Sequence, residues 1–173
     1  MKQIQYNMKP QDVVILLKII AGGTDDWQQK PMSEALHMSQ SEVSQSTYRL
    51  KYSGLLDASG KKVMRLAFMD FLQFGLVVVF PQKPGSLVRG IPTAHSAPPL
   101  NAKIQSDELF VWPSAKGKAR GQSIMPLYPS VVEAVEKDEK LYQLLAMAEA
   151  LRVGKARERE ISVAELKKRI LYE

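Results

Sequence analysis

The chain has 173 residues, 45% of them apolar and 24% charged, the balance of an ordinary globular protein with enough length to bury a core. It has no cysteine and two histidines, which excludes disulfides and thiolate metal sites and leaves little for a zinc or catalytic cluster. A net charge of +6 favours a polyanionic partner, and no apolar run reaches the ~18 residues of a membrane span, so a cytoplasmic protein without a signal peptide is expected.

The first predicted helix opens at Pro10, runs through Val13–Ala21 with apolar residues on most faces, and stops at Gly22-Gly23. It should be the buried first helix of a three-helix core. Thr24–Trp27 forms the loop that follows, with Trp27 as a packing residue. Met32 and Leu36 then lie four apart on a short helix, and His37-Met38 makes the turn. Ser39 and Glu42 have the spacing of a capping box, so the next helix starts at Gln40. Val43, Thr47 and Leu50 recur at helical spacing as an inward stripe. Gln40, Ser41, Gln45, Ser46 and Arg49 fall on the other side. Those five are the candidates for base contacts, since Gln pairs with adenine, Arg with guanine and Ser with either.

Leu36, Met38, Ser39, Val43, Ser44 and Leu50, followed by Lys51–Asp57, resemble the winged helix-turn-helix of MarR-type bacterial regulators. The resemblance covers about residues 10–65. Where that pattern usually has Gly in the turn this chain has His37, and where Arg often follows the Val-Ser pair it has Gln45. It implies a dimeric transcriptional regulator that places a recognition helix, about residues 40–53, in the major groove of double-stranded DNA.

Leu55–Val63 supplies two short apolar pieces around a glycine-containing turn, the place of a wing. Five basic residues against two acidic ones lie between Ser39 and Arg65, whereas residues 131–173 carry nine of each. Ser44, Lys51, Lys61, Lys62 and Arg65 are therefore the candidates for phosphate contacts; a solvated basic surface is the alternative.

Met64–Phe80 leaves almost no polar face, which predicts a helix that serves as central core, dimer interface or, less directly, the wall of an effector pocket. Residues 81–129 hold eight of the ten prolines, so long helices are excluded there. An ordered irregular segment is expected, with short strands near Leu109–Trp112 and Arg120–Ile124. Arg89 and His95 in it are candidates for an anion or partner contact, or for structural roles. A C-terminal helical segment follows, with a second capping box at Ser130 and Glu133, an apolar face from Leu141 to Leu151, a stop at Gly154, and a last helix capped or restarted at Ser162 and Glu165.

The expected fold is mainly α. It comprises a winged helix-turn-helix domain over 1–63, an apolar helix over 64–80, a proline-rich irregular segment with short strands over 81–129, and C-terminal helices over 130–173. No nucleophile-base set, phosphate-binding glycine loop or paired carboxylates is legible, so no enzyme activity, cofactor or metal is expected. The alternative to a DNA-binding homodimer is an interaction adaptor, such as an antitoxin or defence-system subunit, that grips a protein partner through residues 81–173.

Overall fold

The computed structural model describes residues 6–173; the expectation about a leader sequence concerns the first residues, most of which lie outside that range. Helix α1 spans Pro10–Gly22, α2 Gln29–Leu36 and α3 Gln40–Tyr52. Helix α1 begins at proline, with the Asp12 carboxylate accepting the Lys9 amide at 2.9 Å. It ends on Gly23 in the left-handed region, φ 67°, where a residue without a Cβ is unstrained. Val13, Val14, Ile15, Leu16 and Leu17 are all buried, because α1 runs between the helix-turn-helix and the C-terminal helices.

The Met64–Phe80 segment forms one continuous rod of α4 (Arg65–Asp70), a π-turn (Phe71–Gly75) and α5 (Leu76–Val79). Only one side of it is core. Phe68, Met69, Leu72 and Leu76 are buried, while Leu66, Phe74, Val78 and Val79 face outward.

The expectation of a mainly α fold is corrected by the proline-rich segment, which contributes a mixed sheet and makes this an α/β structure. Strands β1 (Leu87–Pro92), β2 (Phe110–Pro113) and β3 (Ala119–Ser123) close on one another. Strand β1 runs antiparallel to both others, with Ile91 opposite Trp112 and Arg89 opposite Arg120. Strands β2 and β3 pair in parallel through Phe110 and Gln122. Strand β1 lies where irregular chain was expected. Its alternating Leu87-Val88-Arg89-Gly90-Ile91-Pro92 is broken by glycine and ends on proline, so the sequence hid a strand whose partners lie 19 to 35 residues away. Glycine is required where the backbones cross: a Cβ on Gly90 would overlap the Trp112 carbonyl, and one on Gly117 would overlap Gly90 itself.

Helices α6 (Val131–Ala134), α7 (Glu139–Val153) and α8 (Ala156–Leu171) complete the chain. Neither expected capping box forms. The Ser130 hydroxyl donates to the Leu36 carbonyl at 2.6 Å, and Asp138 caps α7 instead by accepting the Leu141 amide at 3.0 Å. Ser162 and Glu165 lie inside α8, where the Ser162 hydroxyl donates to the Met147 carbonyl. Helix α7 is buried from Leu144 to Arg152 and forms the central pillar.

The sheet is pinned to α7 by polar groups. Trp112 Nε1 donates to Glu149 at 2.9 Å, Arg152 donates to the other Glu149 oxygen at 2.6 Å and to the Phe80 and Met125 carbonyls, and the Tyr142 hydroxyl donates to the Pro92 carbonyl at 2.6 Å. Burial pushes the Glu149 carboxyl up against the opposing pull of Arg152, and burial pushes the Tyr142 phenol up to about 12. One apolar cluster runs from Val13 to Ile170, so the segments share a single core. Among the described residues no helix is long and apolar enough to cross a membrane.

Candidate nucleic-acid interface

Helices α2 and α3 are joined by His37, φ 52° and ψ 42°, a left-handed turn residue whose amide closes on the Glu34 and Ser33 carbonyls. Met38 then inserts beneath the turn, with Met32, Leu36, Val43 and Leu50 also buried. Ser39 Oγ accepts the Glu42 amide at 3.1 Å, so α3 starts at Gln40. The reciprocal half of the capping box is absent. Glu42 instead accepts the Tyr128 hydroxyl at 2.5 Å, which ties the start of α3 to the segment before α6 and holds the Tyr128 phenol up at about 12. Gln29 donates its side-chain amide to the Gln40 carbonyl at 2.8 Å, fixing α2 against α3.

Two of the five expected base-reading residues are not on the outer face. Ser46 is fully buried and Arg49 is 6% exposed. Both are engaged by Asp12 of α1. Arg49 Nε donates to Asp12 Oδ2 at 2.9 Å, Arg49 Nη2 to Oδ1 at 2.7 Å and to Ser46 Oγ at 2.9 Å, and Ser46 Oγ donates to Asp12 Oδ1 at 2.5 Å. With the Lys9 amide on Oδ2, this buried carboxylate is satisfied on both oxygens. The inward stripe is therefore Val43, Ser46 and Leu50, while Thr47 is half-buried and returns its hydroxyl to the Val43 carbonyl at 2.8 Å. The assignment of Ser46 and Arg49 to bases fails for a plain reason: a buried acid on α1 claims them, and helical spacing alone does not show which polar residue has a partner inside.

The exposed face of α3 consists of Gln40, Ser41, Ser44, Gln45, Tyr48, Lys51 and Tyr52. Gln45 donates its amide to Ser41 Oγ at 3.1 Å, a local bond between two exposed side chains. Tyr48 and Tyr52 were missed by sequence reasoning. They are 53% and 68% exposed, and Tyr6 stacks on both, with ring centroids 5.7 Å and 4.0 Å apart. Large aromatics four apart on the polar face of a helix were the available signal.

The expected wing is a single antiparallel bridge between Leu56 and Val63. Asp57 organises its turn by accepting the Lys61 and Lys62 amides, each at 3.1 Å, and the Ser59 hydroxyl; the Lys62 amide and that hydroxyl hold its carboxyl below the usual range. Of the expected phosphate contacts, Ser44, Lys51 and Lys62 are exposed beside α3 or at the tip. Lys61 and Arg65 are taken. Lys61 Nζ donates to the Trp27 carbonyl and lies 4.6 Å from the centre of its ring, while Trp27 Nε1 donates to the Lys61 carbonyl at 3.0 Å. Arg65 Nη1 donates to the Ile170 carbonyl at 2.7 Å, at the end of α8. Between α3 and the turn lies an open cleft of about 280 Å³, lined by Gln29, Ser44, Tyr48, Lys51 and Ser59 among others.

Elsewhere, Arg89 is an exposed residue of β1, and His95 is buried with Nε2 2.7 Å from the Glu108 carbonyl and its ring edge-on to Phe110. The structure does not bring the two together at a pocket. Among the described residues no three His, Asp or Glu side chains are grouped to hold a metal. No protein-family model, curated protein or solved structure matches the chain.

Proposed function

We propose that the protein binds double-stranded DNA by seating α3 in the major groove and acts as a transcriptional regulator. What carries the reading is the helical hairpin itself: a left-handed His37 turn, a start of α3 capped by Ser39, and an outward face of short polar side chains that the core leaves uncovered. In this reading Gln40, Ser41 and Gln45 contact base edges, with Tyr48 beside them, while Ser44, Lys51 and Lys62 contact phosphates. Few free cations remain on this face, which lowers nonspecific affinity and leaves discrimination to the glutamines.

The test is selection of bound fragments from a random or genomic DNA pool, followed by anisotropy titrations. A shared sequence bound more tightly than bulk DNA, and altered by Gln45→Ala, is expected. Equal and weak retention of all fragments refutes the reading. A second reading, a protein-interaction adaptor, is favoured by the internal capture of Arg49, Lys61 and Arg65, which removes three cations that DNA binding would use. A stoichiometric protein partner held in the absence of any DNA preference is the outcome that selects it.

A further inference from the structure

We propose that the outer face of the β1–β3 ladder grips the phosphodiester backbone of duplex DNA beside the segment that α3 reads. The choice of DNA as the source of phosphate rests on the reading that α3 enters a duplex; the surface itself is a different part of the fold. Residues 81–129 hold six basic side chains against two acidic ones, and so four of the chain's six net positive charges. Neither acid is in a strand, since Asp107 and Glu108 both precede β2.

Arg89 of β1 pairs in register with Arg120 of β3, and both are exposed. Residues directly opposite across an antiparallel ladder project to the same side, with Cα atoms about 4.5–5.5 Å apart. Two like charges in that position destabilise the pairing. Neither guanidinium has an ionic partner among the described residues, nor has Lys118, exposed just before β3. An anion seated between the two arginines turns that repulsion into attraction. Each guanidinium is a planar fork that meets phosphate oxygens in bidentate fashion, as an ammonium does not. The ladder holds the two forks side by side, so phosphate is the anion whose oxygens this pair matches.

Position selects duplex DNA. Lys116 of the β2–β3 turn and His37 of the α2–α3 turn line the same cleft of about 410 Å³. Beyond β3, the Tyr128 hydroxyl donates to Glu42 and the Ser130 hydroxyl to the Leu36 carbonyl, so the chain leaving the sheet is fixed to the start of α3. In helix-turn-helix docking the N-terminal residues of the second helix meet base edges while the first helix crosses the backbone. The backbone that continues past α2 is then the polyanion nearest the β2–β3 turn. The sheet thereby supplies what the hairpin lacks: Arg49, Lys61 and Arg65 are held internally, whereas Arg89, Lys118 and Arg120 have no acidic partner among the described residues.

Anisotropy titrations of the full chain on labelled duplexes of several sequences, at several salt concentrations, test this. Arg89→Gln/Arg120→Gln should weaken binding to every duplex alike, keep the order of preference among sequences, and lower the slope of log K against log salt by about 1.8. The ratio of wild-type to variant affinity then shrinks about twelvefold between about 50 and 200 mM salt. Its Tm should not fall, because the substitutions relieve a repulsion. Arg157→Gln/Arg159→Gln, which removes the same charge from the exposed start of α8, should leave the slope nearly unchanged. An unchanged slope for the sheet variant, or an equal drop for the α8 variant, overturns the proposal. Failure of the α3 reading looks different: wild type shows no preference among sequences and Gln45→Ala changes nothing, while the sheet variant still lowers the slope and the sheet surface stands. A wild-type chain that retains no duplex at about 50 mM salt, or that binds single-stranded RNA of the same length more tightly, overturns the assignment to DNA.

Discussion

Replacing Arg49 with alanine separates two roles for one residue. The substitution removes two hydrogen bonds to Asp12 and one to Ser46, and leaves a fully buried carboxylate facing only the Lys9 amide and one hydroxyl. Breaking a buried pair from one side costs about 3–5 kcal/mol, because the abandoned charge is what is expensive. For a domain of this size each kcal/mol moves Tm by about 2–4 °C, so the midpoint should fall by roughly 6–20 °C. Arg49→Lys should recover little of it, since an ammonium cannot span both Asp12 oxygens as the guanidinium does. A base-contacting arginine on the surface behaves oppositely: its loss changes stability by less than about 0.5 kcal/mol and costs affinity. The assay is thermal denaturation of wild type, Arg49→Ala and Asp12→Ala/Arg49→Met at one pH. A Tm within about 2 °C of wild type for Arg49→Ala refutes the buried-network account. The double variant removes both charges together and should be the more stable of the two altered proteins.

Lys62→Ala should weaken binding to every DNA sequence alike and flatten the dependence of log K on log salt by about 0.9 per protomer, whereas Lys61→Ala should leave that slope nearly unchanged because its amine is held by Trp27. Anisotropy titrations at several salt concentrations read both. Glu165, bonded to Arg169, Lys103 and Lys168, has its carboxyl held down to about 2. A folded-state value below the unfolded one adds stability that is present above pH 4.5 and lost as pH falls toward 2. Glu165→Gln should therefore be less stable than wild type at neutral pH and converge with it near pH 2 in urea titrations. Trp112→Phe strips one donor from buried Glu149, which should cost about 1–3 kcal/mol by denaturant unfolding, and the smaller ring leaves a void at a fully buried site that adds to that loss.

Local signals carried much of the helical part of the fold. Pro10 and Gly23 bracket α1, Ser39 starts α3, and the apolar period assigns Met32, Leu36, Val43 and Leu50 to the core, because each of these depends on neighbours within a turn or two. The short polar side chains on the face of α3 were legible for the same reason. The remainder rests on partners distant in sequence. Asp12 takes Arg49 and Ser46 from 37 and 34 positions away, Trp27 takes Lys61 across 34, the Ile170 carbonyl takes Arg65 across 105, and Tyr128 takes Glu42 across 86. Each turned an expected ligand contact or cap into a packing contact.

The sheet follows the same rule, since β1 finds β2 and β3 only through long-range pairing that its glycine and proline content conceals. By itself the sequence determined a helix-turn-helix hairpin with a polar outer face, because capping, turn chemistry and helical period act over a few residues. Tertiary structure alone decided which polar residues on that hairpin stay free to meet a ligand and which side of the Met64–Phe80 rod meets water. Buried charges and apolar surfaces are satisfied by whatever the fold brings beside them.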